Sequence, residues 1–173
     1  MAPTHKCALP ISPKEGDRQG VSGFAVTITI RRATAADVDP IVAMLADDPL
    51  GAAREKPGDP AYLEAFEVID ADPHQFLAVA DSGGEVVGTL QLTFTGGLSR
   101  LGMTRATVEA VRVRSDQRGG GLGEQLIRWA IDEARARGCG LVQLTTDASR
   151  VDAHRFYERL GFTASHVGMK LQL

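Results

Sequence analysis

From residue 24 onward the chain switches between stretches of period two and stretches of period 3.6. Phe24, Val26, Ile28 and Ile30 alternate with Ala25, Thr27, Thr29 and Arg31, which predicts a strand with one buried face. Thr34 and Asp37 stand at the spacing of a capping box, with Asp where Glu is commoner. Val38, Ile41, Val42 and Leu45 follow at helical spacing and predict a helix ending near Asp47. Pro49, Gly51, Pro57, Gly58 and Pro60 make the next segment a loop, and Leu63, Phe66 and Ile69 mark a second helix from about Ala61 to Asp70. Asp72-Pro73 closes it, because proline pushes the preceding residue out of the helical region. Strands are expected at Phe76–Ala80 and Glu85–Phe94, joined through the hairpin turn Asp81-Ser82-Gly83-Gly84.

A glycine-rich stretch from Thr95 to Thr104 leads into a strand from Arg105 to Arg114. Gly119 to Gly123 then open a long helix to Arg137, with Leu122, Leu126, Ile127, Ala130, Ile131 and Ala134 along one side and Gly138 placed to stop it. Leu141, Val142 and Leu144 predict a short buried strand, and a short helix from Asp152 carries Ala153, Phe156, Tyr157 and Leu160 before Gly161. Phe162 to Leu173 is expected to finish as strand, bent at Gly168. The resulting order, β-α-α-β-β-β-α-β-α-β(-β), is that of an α/β domain with a mixed central sheet flanked by helices.

Composition narrows the classes. The chain has 173 residues, 43% of them apolar, enough for a single domain over residues 24–173. Residues 1–23 hold scattered Pro, Gly and charge with no hydrophobic period, so they read as a flexible tail. Nineteen Lys and Arg face 22 Asp and Glu, a balance that argues against a nucleic-acid partner held by bulk electrostatics. No apolar run approaches the roughly 18 residues of a membrane span. Cys7 and Cys139 form no C-x-x-C, and the four histidines have no H-E-x-x-H spacing, so no metal is expected. The plain expectation from so few cysteines is a reducing, cytoplasmic setting.

The candidate chemistry begins at Arg118-Gly119-Gly120-Gly121-Leu122-Gly123, between a strand and a helix. Four glycines let main-chain N–H groups converge, and the helix end adds about half a positive charge. That is an anion site suited to a phosphate or pyrophosphate; a tight turn holding nothing is the alternative. A P-loop would need Gly-Lys-Ser/Thr, but Glu124 follows Gly123. A dinucleotide fingerprint would want Gly or Ala at position 126, where Leu126 stands.

The strand before the loop slips in phase. Ala106, Val108 and Ala110 are apolar at even positions, Val111 and Val113 at odd ones. A β-bulge between Ala110 and Val111 would produce this, and bulges are frequent beside active sites. A strand buried on both faces would produce it too.

Val111-Arg112-Val113 followed by Gln117-Arg118-Gly119-Gly120-Gly121-Leu122-Gly123 resembles the Q/R-x-x-G-x-G/A motif of the GCN5-related N-acetyltransferase (GNAT) superfamily. Ala153 to Phe162 resembles that family's second motif, A-x-x-x-Y-x-x-x-G-F, and the two together cover roughly residues 105 to 165. The resemblance implies a GNAT-like fold and acetyl-CoA as cosubstrate. Pantetheine would pair with the backbone of Val111, Arg112 and Val113, the pyrophosphate would rest on the amides of Arg118 through Gly123, and Arg155 and Phe156 would lie against the cofactor. Many relatives carry Asn seven residues before the motif tyrosine; this chain has Arg150, and Arg150 or Arg155 could instead meet a CoA phosphate.

The same resemblance makes Tyr157 the acid that protonates the leaving thiolate. Glu109, two residues before Val111, is the base candidate, although many relatives use a water chain. A backbone N–H, that of Val111 beside the bulge, would polarise the thioester carbonyl. Asp47, Asp48 and Glu55 could attract a cationic amine, and the acceptor cleft would be walled by residues 47–66 and 95–104. Two readings result. One is an acetyl-CoA-dependent N-acetyltransferase acting on a small-molecule amine or a protein amino group, with an exposed sheet edge suited to a homodimer. The other is an acyl-CoA-binding sensor or interaction module without turnover.

Overall fold

The computed structural model describes residues 27–47 and 51–173. The expected tail, Phe24 to Val26 and Asp48 lie outside the described residues. Five strands, β1 (Ile28–Arg32), β2 (Gln75–Ser82), β3 (Glu85–Thr95), β4 (Arg105–Val113) and β5 (Leu141–Leu144), stand side by side in chain order. The first four pair antiparallel, and β5 runs parallel to β4. A parallel neighbour needs a crossover, which is supplied by α4 (Leu122–Ala136). α1 (Val38–Ala46) and α2 (Ala61–Ala71) precede β2, a short irregular α3 (Ser99–Gly102) precedes β4, and α5 (Val151–Arg159) follows β5.

The pleat sorts side chains to two cores. Ala78, Ala80, Leu90, Leu92, Ala106 and Val108 pack on Leu126, Ile127, Ala130 and Ala134, all four of them fully buried, so the helical stripe read from the sequence is the face α4 turns to the sheet. On the other side Val79 and Val86 meet Ile41, Val42, Met44 and Phe66 of α1 and α2. The sheet therefore lies between two helical layers. Among the described residues no helix is long and apolar enough to cross a membrane.

The β2–β3 turn is tighter than expected. Asp81 and Ser82 belong to β2, leaving Gly83 (φ 65°) and Gly84 (φ 95°) as a two-residue turn. Positive φ at both positions is what such a turn demands, and Asp81 Oδ1 accepts the Gly84 N–H at 2.7 Å.

Two expectations at the far edge need correction. Leu141, Val142 and Leu144 form β5 as expected, but the strand is not buried: Leu141 is exposed and Val142 and Leu144 are half-buried. Phe162 to Leu173 is not a strand. A strand exists only where its backbone finds a partner, and among the described residues the outer edge of β5 pairs with nothing. The period-two pattern in that segment is real, but its pairing is missing.

Asp37 ties β1 to the start of α1. Its carboxylate accepts Nη1 and Nη2 of Arg31 at 2.7 and 3.0 Å, and the Thr34 N–H and hydroxyl at 2.7 and 2.9 Å. Arg31 chiefly, with Thr34 assisting and burial opposing, lowers the carboxyl from 3.8 to about 2. A folded value below the unfolded one stabilises above the unfolded value, and that contribution is lost as pH falls through the folded value. Asp37→Asn is expected to lose about 2–3 kcal/mol at neutral pH, with the difference from the parent shrinking between about pH 4 and pH 2. Urea melts of both chains across that range check it.

Candidate active site

The site grows from an irregularity in β4. Thr89 pairs with Arg112 and Gln91 with Glu109, so Ala110 and Val111 together stand opposite the single residue Leu90. Ala110 takes φ 52°, a left-handed conformation that costs a non-glycine residue of order 1–2 kcal/mol. This is a bulge, and it settles the phase slip. Ala106 and Val108 before it, and Val111 and Val113 after it, all pack towards the α4 core.

Past the bulge β4 and β5 part. Their pairing runs from Arg105/Leu141 to Val108/Leu144 and stops. Along Glu109–Val113, the side of β4 turned away from β3 therefore borders a wedge rather than a strand among the described residues. Two carbonyls in this stretch meet guanidinium groups: Arg112 Nη1 donates to Val111 O at 2.9 Å and Arg118 Nε to Val113 O at 3.0 Å. Arg118 also reaches Asp47 Oδ2 at 3.1 Å. It thus braces β4 against the end of α1 through an ion pair with Asp47.

The glycine loop closes the wedge at the C-terminal end of β4. Gly119 (φ 81°) and Gly121 (φ 84°) are left-handed, and Gly121 is the N-cap of the 15-residue α4. The Arg118 N–H makes a long bond of 3.4 Å to Ser115 O, and the next amide bonded within the chain is that of Gln125, to Gly121 O at 3.1 Å. Among the described residues, the amides of Gly119, Gly120, Gly121, Leu122 and Gly123 have no hydrogen-bond acceptor. The Leu122 side chain is buried in the core and anchors the loop. These N–H groups at a helix start suit a diphosphate.

The second motif meets this loop. A Cβ on Gly123 would sit 3.6 Å from Phe156 Cζ and 3.9 Å from Val113 Cγ2, so β4, the loop and α5 converge there. Tyr157, next on α5, is held between Phe156 and Phe162, with ring centroids 5.1 and 5.8 Å away and both contacts edge-on. Burial raises its pKa, while the charges of Arg150 and Arg112 pull it down. Its hydroxyl has no hydrogen-bond partner among the described residues. Glu109 is exposed on the strand at the bulge and makes no hydrogen bond to Tyr157. Arg155 is also exposed, 3.9 Å from Asp152.

Other candidates fall elsewhere. The 95–104 segment lies at the end of β4 opposite the glycine loop, where the Thr104 carbonyl accepts the Gly140 N–H at 2.9 Å. His154 is 3.0 Å from Asp147 O and His166 is 2.8 Å from Ser165 Oγ. Among the described residues no three His, Cys, Asp or Glu side chains gather as metal ligands. One arrangement had no signal in the sequence. Glu55 accepts the Tyr62 hydroxyl at 2.9 Å and Arg54 Nε at 2.7 Å, and these two, Arg54 foremost, hold its carboxyl below the usual range.

Residues 39–162 match the model of the Acetyltransferase (GNAT) family. The chain is 34% identical to the aminoalkylphosphonate N-acetyltransferase of Salmonella typhimurium over 79% of its own length and 86% of the relative's. It is 30% identical to the streptothricin acetyltransferase of Streptomyces lavendulae, over 94% and 85%. Among solved structures, a Bacillus halodurans C-125 protein described as a transcriptional regulator is 51% identical with a TM-score of 0.82, covering 85% of this chain and all of that one.

Proposed function

The chain belongs to the acetyltransferase (GNAT) family, and from that premise we propose that it transfers an acetyl group from acetyl-CoA to the primary amine of a small molecule. The observation that carries this reading is the row of uncommitted amides from Gly119 to Gly123, beside a strand that a bulge has separated from its neighbour. A diphosphate fits those amides and a pantetheine arm fits the wedge. The acceptor is read as a small molecule because the two curated relatives are named for small molecules; a protein amino group is the competing acceptor.

When bound, acetyl-CoA supplies an activated acyl group and a thiolate leaving group. The loop amides hold the diphosphate end and so fix the position of the thioester in the wedge. The Val111 N–H, next to the strained Ala110, is the donor assigned to the carbonyl oxygen. Glu109 accepts a proton from the acceptor's ammonium, directly or through water, and the neutral amine so formed is the nucleophile. Tyr157 gives its proton to the departing sulfur, a role for which a raised pKa keeps the hydroxyl protonated at neutral pH.

Acetyl-CoA is expected to raise the melting temperature, with about 2.7 kcal/mol of added stability at a hundred times Kd. Free thiol should then appear only when an amine is present, in a panel holding aminophosphonates, amino acids, aminoglycoside-like amines and an N-terminal peptide. Stabilisation by ATP or NAD but not by CoA removes the site assignment. Binding without thiol release from any amine favours the sensor.

A further inference from the structure

The face of the sheet that meets α1 and α2 changes character halfway across. Under the helices it is apolar, where Leu77 and Val79 of β2 and Val86 of β3 join Ile41, Val42 and Phe66. Among the described residues no apolar side chain of β4 or β5 joins that core. Instead Gln75, Thr93, Thr107 and Gln143 stand opposite one another in register from β2 to β5. Alternation puts them on this face, because their neighbours Phe76, Phe94, Ala106 and Val142 turn to the α4 core. Two residues nearer the glycine loop, Gln91 stands opposite Glu109. Gln75, Gln91, Thr93 and Thr107 are half-buried, and hydrogen bonds already align them. Gln91 Nε2 and the Thr93 hydroxyl both donate to Gln75 Oε1 at 3.0 Å, and Gln143 Nε2 donates to Thr107 Oγ1 at 3.1 Å. Those bonds use part of the groups' capacity. The Gln75 amide protons, Gln91 Oε1, the Thr107 hydroxyl proton and Gln143 Oε1 have no partner among the described residues.

We propose that this row is the floor of the acceptor site, and that the acceptor is a primary amine whose body carries several hydroxyl or amide groups. The proposal deepens the acetyl-transfer reading and rests on it. Glu109, the base assigned to the ammonium, is the one charged member of the row and lies at its end nearest the wedge. Strand spacing puts Gln91 about 5 Å and Gln75 about 10 Å across the sheet from Glu109, a span that a six-carbon polyol covers. Neutral donors and acceptors in such a floor discriminate, because a substrate without matching groups leaves them desolvated and unpaired. An alkyl body would cover them without a bond, and an anionic one would meet Glu109 and no cation within the row.

Three unbranched primary amines test it: glucamine with its row of hydroxyls, hexylamine with none, and 3-aminopropylphosphonate with an anionic end. Expressed per unprotonated amine at saturating acetyl-CoA, the parent's kcat/KM for glucamine is expected to exceed the other two by at least about tenfold. Thr107→Val keeps the side chain's shape and Gln91→Met its length, so circular dichroism should match the parent. Each should raise the KM for glucamine by about three- to tenfold, the loss of one neutral hydrogen bond. The kcat for glucamine, the hexylamine constants and the acetyl-CoA Kd should stay at parent values. A parent that binds acetyl-CoA but acetylates glucamine no better than hexylamine or the phosphonate overturns this proposal and leaves acetyl transfer standing. Variants that change all three amines alike, or none of them, overturn it too. A parent that shows no acetyl-CoA binding by calorimetry overturns acetyl transfer and this proposal together.

Discussion

Tyr157→Phe is expected to lower kcat by about a hundred- to ten-thousandfold while leaving the affinity for acetyl-CoA unchanged. The substitution removes one oxygen. The ring keeps its edge-on contacts with Phe156 and Phe162, and the hydroxyl has no partner among the described residues, so no hydrogen bond of the fold is lost. Melting temperature and acetyl-CoA titration should therefore match the parent, and only the chemical step should slow. The pH profile adds an independent readout. An acid must be protonated to act, and burial raises this phenol above its ordinary value of 10.0. The alkaline fall in parent activity assigned to Tyr157 should then come above that value, and it should be missing from the residual activity of the variant. An undiminished rate takes Tyr157 out of the mechanism and leaves solvent to protonate the sulfur.

What the sequence made legible depends on how local the cause is. The α4 stripe and the Thr34–Asp37 cap are set by residues a few positions apart and form as their patterns demand, while the expected turn Asp81–Gly84 narrows to Gly83 and Gly84, the two that take positive φ. The bulge was legible as a phase slip, but whether the strand bent or was buried on both faces turned on Leu90, which lies in another strand. Arg118 shows the opposite limit. Its place in the motif marks it for the cofactor, yet its side chain spans to Asp47, 71 positions away, and no local pattern encodes that pair. The far edge marks where period alone fails: β5 forms but is not buried, and Phe162 to Leu173 forms no strand because its backbone finds no pairing partner among the described residues. Periodicity states that a face wants burial; it does not supply the neighbour that a strand must pair with.

The loop amides can be tested by two glycines two positions apart. Gly121 has φ 84°, where a β-branched side chain is strained by about 1–3 kcal/mol. Gly121→Val can escape that strain only by rotating the peptide groups on either side, and those peptides carry the N–H groups assigned to the diphosphate. Acetyl-CoA binding is expected to weaken by about a hundredfold, close to 2.7 kcal/mol, with a modest loss of stability because a Cβ there meets no atom within 4 Å. Gly123 is the control. It lies inside α4, its added Cβ would rest at ordinary contact distance from Phe156 and Val113, and alanine favours a helix over glycine by about 1 kcal/mol. Gly123→Ala should thus bind acetyl-CoA as the parent does and melt no lower. Calorimetric titration of the two variants separates backbone geometry from mere bulk in the loop. If Gly121→Val binds undiminished, the diphosphate is held elsewhere; if Gly123→Ala weakens binding as much as Gly121→Val, contact with the α5 aromatic governs the site and the amide cradle does not.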